Sequence, residues 1–199
     1  MNQAEFETLA TGDGLLDYAP GFAGDHDSNW FHQLRRGIAW EQEVYTVFGR
    51  EVTSPRLVAF AGEPGISYRY SGLDHIASGW PSILPDIHQR VEAASGEHFN
   101  CVLLNFYRSG QDSMGWHSDD EPTLGRNPVV ASLSLGACRD FLIRRKGQKA
   151  GSEAIALASG SLLLMRGNFQ HAWQHSLPKR ARVSSPRINL TFRRVVNCG

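Results

Sequence analysis

After Gly96 the chain breaks into short runs that favour extended backbone, punctuated by glycine, proline and asparagine. C-V-L-L-N-F-Y-R, V-V-A-S-L-S-L-G, R-D-F-L-I-R-R, S-L-L-L-M, A-W-Q-H-S-L and R-I-N-L-T-F-R-R follow one another to the C-terminal region. β-Branched and aromatic residues in such runs suit a pleated, partly buried surface. Each strand must bury a face against something, and a succession of short strands does so most simply as a sandwich or a jelly roll.

The first half reads differently. Asp27 and Ser28 are both suited to cap a helix, and Phe31, Leu34 and Ile38 then recur at helical spacing, which predicts an amphipathic helix ending near Gly37. A second helix is predicted by Ser82 and Pro85 near its start, by Ile83, Leu84, Ile87 and Val91 on one face, and by Gly96 just past its end. Between them V-Y-T-V-F, R-L-V-A-F and I-S-Y-R-Y are hairpin-like pieces that suit a lid, and the first twenty-odd residues read as strand and loop. No change of composition divides the 199 residues, which suffice for one domain with its own core.

Composition excludes some classes. No run of eighteen apolar residues is present, so no membrane-spanning helix is expected, and the start lacks a secretory pattern. Cys101, Cys138 and Cys198 are odd in number and far apart, which fits reduced thiols in a cytoplasmic protein. Twenty basic residues balance twenty acidic ones, and that counts against tight, indiscriminate phosphate binding. Lys179, Arg180, Arg182, Arg187, Arg193 and Arg194 nevertheless crowd the last quarter, so a local basic face stays open.

Chemistry concentrates in N-F-Y-R-S-G-Q-D-S-M-G-W-H-S-D-D-E, residues 105–121. In an extended strand His117 and Asp119 point to the same side. A third ligand could come from His171 or His175, and two histidines with one carboxylate leave open positions on an octahedral ion, as in non-haem Fe(II) oxygenases. Alone, His-x-Asp is short enough to arise by chance. In R-I-N-L-T-F-R alternation separates Ile188, Leu190 and Phe192 from Arg187, Asn189, Thr191 and Arg193. A half-buried strand with a solvated charged side explains that pattern. Guanidinium forks matched to the carboxylates of a small diacid explain it too, although Arg187 and Arg193 would stand about 20 Å apart on an ideal strand.

N-F-Y, W-H-S-D-D-E, S-L-G-A-C-R-D-F, H-S-L-P and P-R-I-N-L-T-F-R-R, in this order and spacing, carry a resemblance. From about Val44 to Val195 the chain resembles the AlkB family of Fe(II)- and 2-oxoglutarate-dependent dioxygenases, especially relatives that act on double-stranded DNA. The resemblance implies a mainly β fold with flanking α-helices. This is a double-stranded β-helix (jelly roll) over residues 97–199, preceded by an N-terminal helical and β-hairpin lid extension over 1–96. It implies Fe(II) on His117, Asp119 and His175, which is preferred to His171 by its H-S-L-P context and its interval to Arg187. It implies 2-oxoglutarate on Asn105, Tyr107, Arg187, Asn189 and Arg193, with O2 as the other co-substrate.

On the substrate side Asp120 and Glu121 resemble acidic contacts to a cationic methylated base. Tyr68 and Tyr70 resemble aromatic contacts to a flipped base, and Phe48-Gly49-Arg50 resembles a wedge pushed into the stack. Arg56 is read as a phosphate contact or as a solvated surface arginine. The implied activity is oxidative demethylation of bases such as 1-methyladenine and 3-methylcytosine in alkylated DNA by a monomer, with release of formaldehyde, succinate and CO2. Rival readings are an oxygenase of this fold acting on RNA, protein, lipid or a small molecule, and a non-catalytic metal- and diacid-binding sensor.

Overall fold

The computed structural model describes residues 4–10, 14–47, 49–70 and 72–196. Its elements are β1 (Glu7–Ala10), β2 (Leu15–Ala19), α1 (Asp27–Gly37), β3 (Val44–Val47), β4 (Arg50–Thr53), β5 (Leu57–Gly62), β6 (Ser67–Tyr70), β7 (Leu73–Ile76) and α2 (Leu84–Ser95). They continue with β8 (Cys101–Tyr107), β9 (Met114–His117), β10 (Val130–Gly136), β11 (Arg139–Arg145), β12 (Glu153–Leu157), β13 (Ser161–Arg166), α3 (Phe169–Ala172), β14 (Trp173–Leu177) and β15 (Arg187–Arg193).

A seven-stranded antiparallel sheet runs β1-β2-β13-β10-β15-β8-β5, and a four-stranded antiparallel sheet runs β12-β11-β14-β9. Together they make the jelly roll. The hairpins β3–β4 and β6–β7 are separate two-stranded sheets. Two expectations change here. β5, read as lid material, is an edge strand of the large sheet, where it pairs with β8 from Leu57↔Phe106 to Gly62↔Cys101. The large sheet also takes β1 and β2, so its strands do not begin at residue 97.

The large sheet is covered on both faces, which is why its central strands show almost no exposed residue. On the outer face Val102, Leu104, Phe106, Leu133, Leu162, Ile188, Leu190 and Phe192 pack against Trp30 and Leu34 of α1 and Leu84, Ile87 and Val91 of α2. Each of those helix side chains is nearly or fully removed from water, worth about 2 kcal/mol apiece. The inner face turns toward the small sheet. There Leu163 and Met165 meet Phe141, Ile143 and Trp173.

The helices end where the sequence places them, with different chemistry at one end. Pro85 lies in the first turn of α2, and Gly96 closes it at φ 70°, a left-handed conformation that glycine adopts without a Cβ penalty. At α1 neither Asp27 nor Ser28 caps the helix. The Asp27 carboxylate instead accepts a hydrogen bond from Ser159 Oγ at 2.7 Å, tying α1 to the turn before β13. No helix among the described residues is long and apolar enough to cross a membrane.

Candidate active site

His117 on β9 and His175 on β14 are direct partners across the small sheet, with ring centroids 4.2 Å apart. The pairing of two strands therefore brings two remote imidazoles together. Asp119 arrives differently from the expectation of a continuous strand, because β9 stops at His117. Two hydrogen bonds hold the segment beyond it: Ser118 Oγ donates to the Trp173 carbonyl at 2.7 Å, and the Asp119 N–H donates to Gln170 Oε1 at 2.9 Å. The ligand atoms of His117, Asp119 and His175 lie within 4.8 Å of one another, a group able to hold a metal ion.

Protonation suits a cation. His117 Nδ1 sits 2.9 Å from the Gly115 carbonyl, which can only accept, so Nδ1 carries the hydrogen and Nε2 keeps its lone pair. Burial pushes the His117 imidazole below its usual value and the His175 imidazole down to about 3, with the neighbouring histidine adding to the second shift. Burial alone would raise the Asp119 carboxyl, but Arg193, His175 and His117 together bring it down to about 2. Both imidazoles are thus neutral and the carboxylate is charged, the forms that bind metal. Arg193 donates to Asp119 Oδ1 at 2.7 Å, while Oδ2 is buried without a hydrogen-bond partner. Two imidazoles and one carboxylate whose Oδ2 is buried and unpartnered fit Fe(II).

The cavity beside this group is lined from the large sheet by Asn105, Tyr107, Ser132, Arg187, Asn189, Thr191 and Arg193. The polar side of β15 is therefore neither solvated nor on the protein surface: every residue of the strand is buried. Arg187 donates to Ser134 Oγ at 2.8 Å and packs 5.4 Å from the Tyr107 ring centroid. No carboxylate pairs with it among the described residues, and burial lowers its pKa to about 10. A buried guanidinium without an acid partner is costly unless an anion joins it. Asn189 Nδ2 donates to Ser132 Oγ and to the Leu133 carbonyl, and Thr191 Oγ1 donates to Asn189 Oδ1.

Arg56 corrects both sequence readings. It is 3 % exposed, and it donates through Nε to Asn105 Oδ1 at 2.6 Å and through Nη2 to the Tyr70 hydroxyl at 2.7 Å. Tyr70 lines the cavity, and its hydroxyl also donates to Met114 Sδ at 3.3 Å. Tyr68 stacks on Tyr70 with centroids 6.4 Å apart, beneath the Arg193 guanidinium and beside Glu121. Burial raises the Tyr68 phenol and the Glu121 carboxyl above their ordinary values.

Asp120 is not brought into the cavity with these residues. It is exposed, and Lys146 Nζ lies 2.6 Å from its Oδ2. Gly49 and Arg50 are exposed at the turn of β3–β4, with Gly49 at φ 76°, and Phe48 lies outside the described residues. His171 is exposed, its Nε2 accepting the Asn127 N–H at 3.4 Å. Of the six basic residues crowded near the end, Arg187 and Arg193 are buried, Arg180 pairs with Asp140, and Lys179, Arg182 and Arg194 remain exposed. Sequence reasoning missed Gln170 and Ser118, because a polar residue in a loop-like stretch carries no signal of burial.

The family model described as the 2OG-Fe(II) oxygenase superfamily matches residues 16–193. The alpha-ketoglutarate-dependent dioxygenase alkB homolog 3 of Homo sapiens is 39% identical over 203 residues, covering 96% of this chain and 70% of that protein. The DNA oxidative demethylase ALKBH2 of Bos taurus is 41% identical over 190 residues, covering 90% and 68%. The chain belongs to the AlkB family of 2OG-Fe(II) oxygenases. As an AlkB-family member it is an Fe(II)- and 2-oxoglutarate-dependent dioxygenase that uses O2. The jelly roll agrees: the structure of OsALKBH1 superposes with a TM-score of 0.67 at 18% identity, covering 96% of this chain and 100% of that one.

Proposed function

We propose that the protein removes methyl groups oxidatively from N-alkylated bases such as 1-methyladenine and 3-methylcytosine in DNA, as a monomer in the cytoplasm. The observation that carries this reading is one cavity bordered by a metal-holding group, by a buried arginine without an acid partner and by Tyr70. In this reading His117, Asp119 and His175 hold Fe(II). Asn105, Tyr107, Asn189 and Arg193 orient 2-oxoglutarate, with Arg187 taking its distal carboxylate. With its co-substrates bound, the centre supplies the oxidising power that converts an N-methyl group to a hydroxymethyl group, lost as formaldehyde, with succinate and CO2 as co-products.

The remaining side chains position and select. Tyr70, backed by Tyr68, offers an aromatic face to an extruded base. Glu121 adds negative charge that attracts the cationic methylated ring in a site poor in water. Exposed Lys179, Arg182 and Arg194 are available to backbone phosphates. Phe48, Gly49 and Arg50 are assigned to the stack beside the extruded base, and Asp120 to the rim, where a cationic base would compete with Lys146. The relatives' printed names, among them a DNA oxidative demethylase, support a nucleic-acid substrate.

A panel of methylated oligonucleotides, DNA and RNA, single- and double-stranded, assayed for formaldehyde and succinate with iron, ascorbate and 2-oxoglutarate, tests the proposal. Coupled release from methylated DNA is expected. Release from RNA alone would move the substrate, and binding without any oxidation would overturn it.

A further inference from the structure

Arg139, at the start of β11, is 2 % exposed and does not line the cavity. Among the described residues its guanidinium donates only to main-chain carbonyls, Nη1 to Ser109 at 3.2 Å, and Nη2 to Asp112 at 3.0 Å and to Pro178 at 2.7 Å, while Nε is buried without a partner. No carboxylate forms an ion pair with it among the described residues. Those carbonyls belong to two loops, β8–β9 and β14–β15. The loops are further stitched by Gly110 N–H to the Val183 carbonyl and Arg180 N–H to the Gly110 carbonyl, both 2.7 Å. A Cβ on Gly110 would overlap the Arg180 carbonyl, so the contact leaves no slack.

Tyr107, the last residue of β8, stands against this junction. The Arg139 guanidinium carbon lies 5.8 Å from its ring centroid and that of Arg187 lies 5.4 Å from it. Two buried cations therefore flank one tyrosine, only one of which reaches the cavity. A desolvated guanidinium costs several kcal/mol unless its donors are satisfied and its charge is used. Arg187 is paired with Tyr107 on the neighbouring strand, whereas Arg193, six residues along, is the arginine bonded to Asp119. The Arg139 junction thus supports the end of the cavity away from the metal group.

We propose that Arg139 is a positioning residue for the distal carboxylate of 2-oxoglutarate, fixing the Tyr107 ring and the two loops behind it and adding positive potential behind Arg187. The inference rests on the reading that Arg187 receives that carboxylate. Its signature is selectivity between ligands that share the metal-chelating end and differ at the other. Oxalate can chelate a metal but has no distal carboxylate.

Calorimetric titration of the Mn(II)-loaded protein with 2-oxoglutarate and with oxalate reads this without turnover. Arg139→Gln should weaken 2-oxoglutarate by about tenfold, the loss expected when a charged group's hydrogen-bonded support goes, and leave oxalate unchanged. Arg139→Lys keeps the charge but cannot span three carbonyls; it should show a selective loss of the same kind but smaller, and serves if the glutamine variant does not fold. Equal losses for both ligands, or none for either, would overturn the positioning role. Arg187→Gln is the comparator: if it binds both ligands as the wild type does, the distal carboxylate lies elsewhere and the cavity reading falls first.

Discussion

Asp119 holds two cationic interests at once: its Oδ1 accepts Arg193 Nη2 at 2.7 Å, while its Oδ2 is left for a metal beside His175. Substitutions at His117 and at Asp119 should therefore differ in what they do to the fold. His117→Ala removes a ligand and leaves no buried charge behind, so metal binding and turnover should vanish with little change in urea midpoint. Asp119→Ala should also abolish binding and destabilise the metal-free protein by about 3 kcal/mol or more, because Arg193 is left buried without its partner. Equal stability of the two variants would sink this account of the pair.

Gln170 is fully buried, and its amide oxygen takes the Asp119 N–H while its nitrogen reaches Met165 Sδ at 3.4 Å. Gln170→Met keeps the volume and loses the acceptor. Mn(II) affinity, followed by electron paramagnetic resonance, should fall roughly tenfold or more, in line with other outer-sphere changes. An unchanged affinity would mean that Ser118 alone holds the segment.

Arg56 joins a cavity residue on β8 to one on β6. Arg56→Ala removes both hydrogen bonds and should cost about 3 kcal/mol of stability in urea unfolding. Arg56→Lys, a point donor in place of a fork, should recover less than half of that. Full recovery by lysine would show that charge alone matters at this position.

Glu43, just before β3, faces His75 of β7 at 3.3 Å, a contact between the two hairpins. Burial raises the Glu43 carboxyl above its ordinary value against the opposing pull of His75 and Arg56, with Glu41 adding to the rise. A folded-state value above the unfolded one means that this group's contribution to stability is fully present below the unfolded value and is lost as pH rises through the folded one. Glu43→Gln, neutral throughout, should therefore be more stable than the wild type at pH 7 and indistinguishable from it near pH 4. A less stable variant at pH 7 would show that the His75 pair outweighs burial.

Much of this fold is legible in the residues. The α2 boundaries follow from Pro85 and Gly96, and the strands around Leu104, Leu133 and Leu190 follow from their composition. β12 is not legible, because E-A-I-A-L has two alanines and a glutamate and extends only by pairing with β11. The burial of Arg56 and of the polar side of β15 could not be read locally either. Alternation says which side chains share a face, and only the second sheet decides whether that face meets water. The group His117, Asp119 and His175 that could hold a metal came with the motif order, whereas the hydrogen bonds of Gln170, Ser118 and Arg139 join segments remote in sequence.

Because β15 turns Ile188, Leu190 and Phe192 into the apolar core and Arg187, Asn189 and Arg193 into the cavity, a one-residue slip of this strand would exchange the two sets. Inheritance has little room to vary there, since an altered ligand preference and a failed fold would arise from the same change. Among the described residues the hairpins β3–β4 and β6–β7 share no strand pairing with the large or the small sheet, and Tyr70 of β6 reaches Met114 of β9 through its hydroxyl. Sequence change on those arms disturbs no strand ladder of the two larger sheets, whereas change on β15 disturbs core and cavity together.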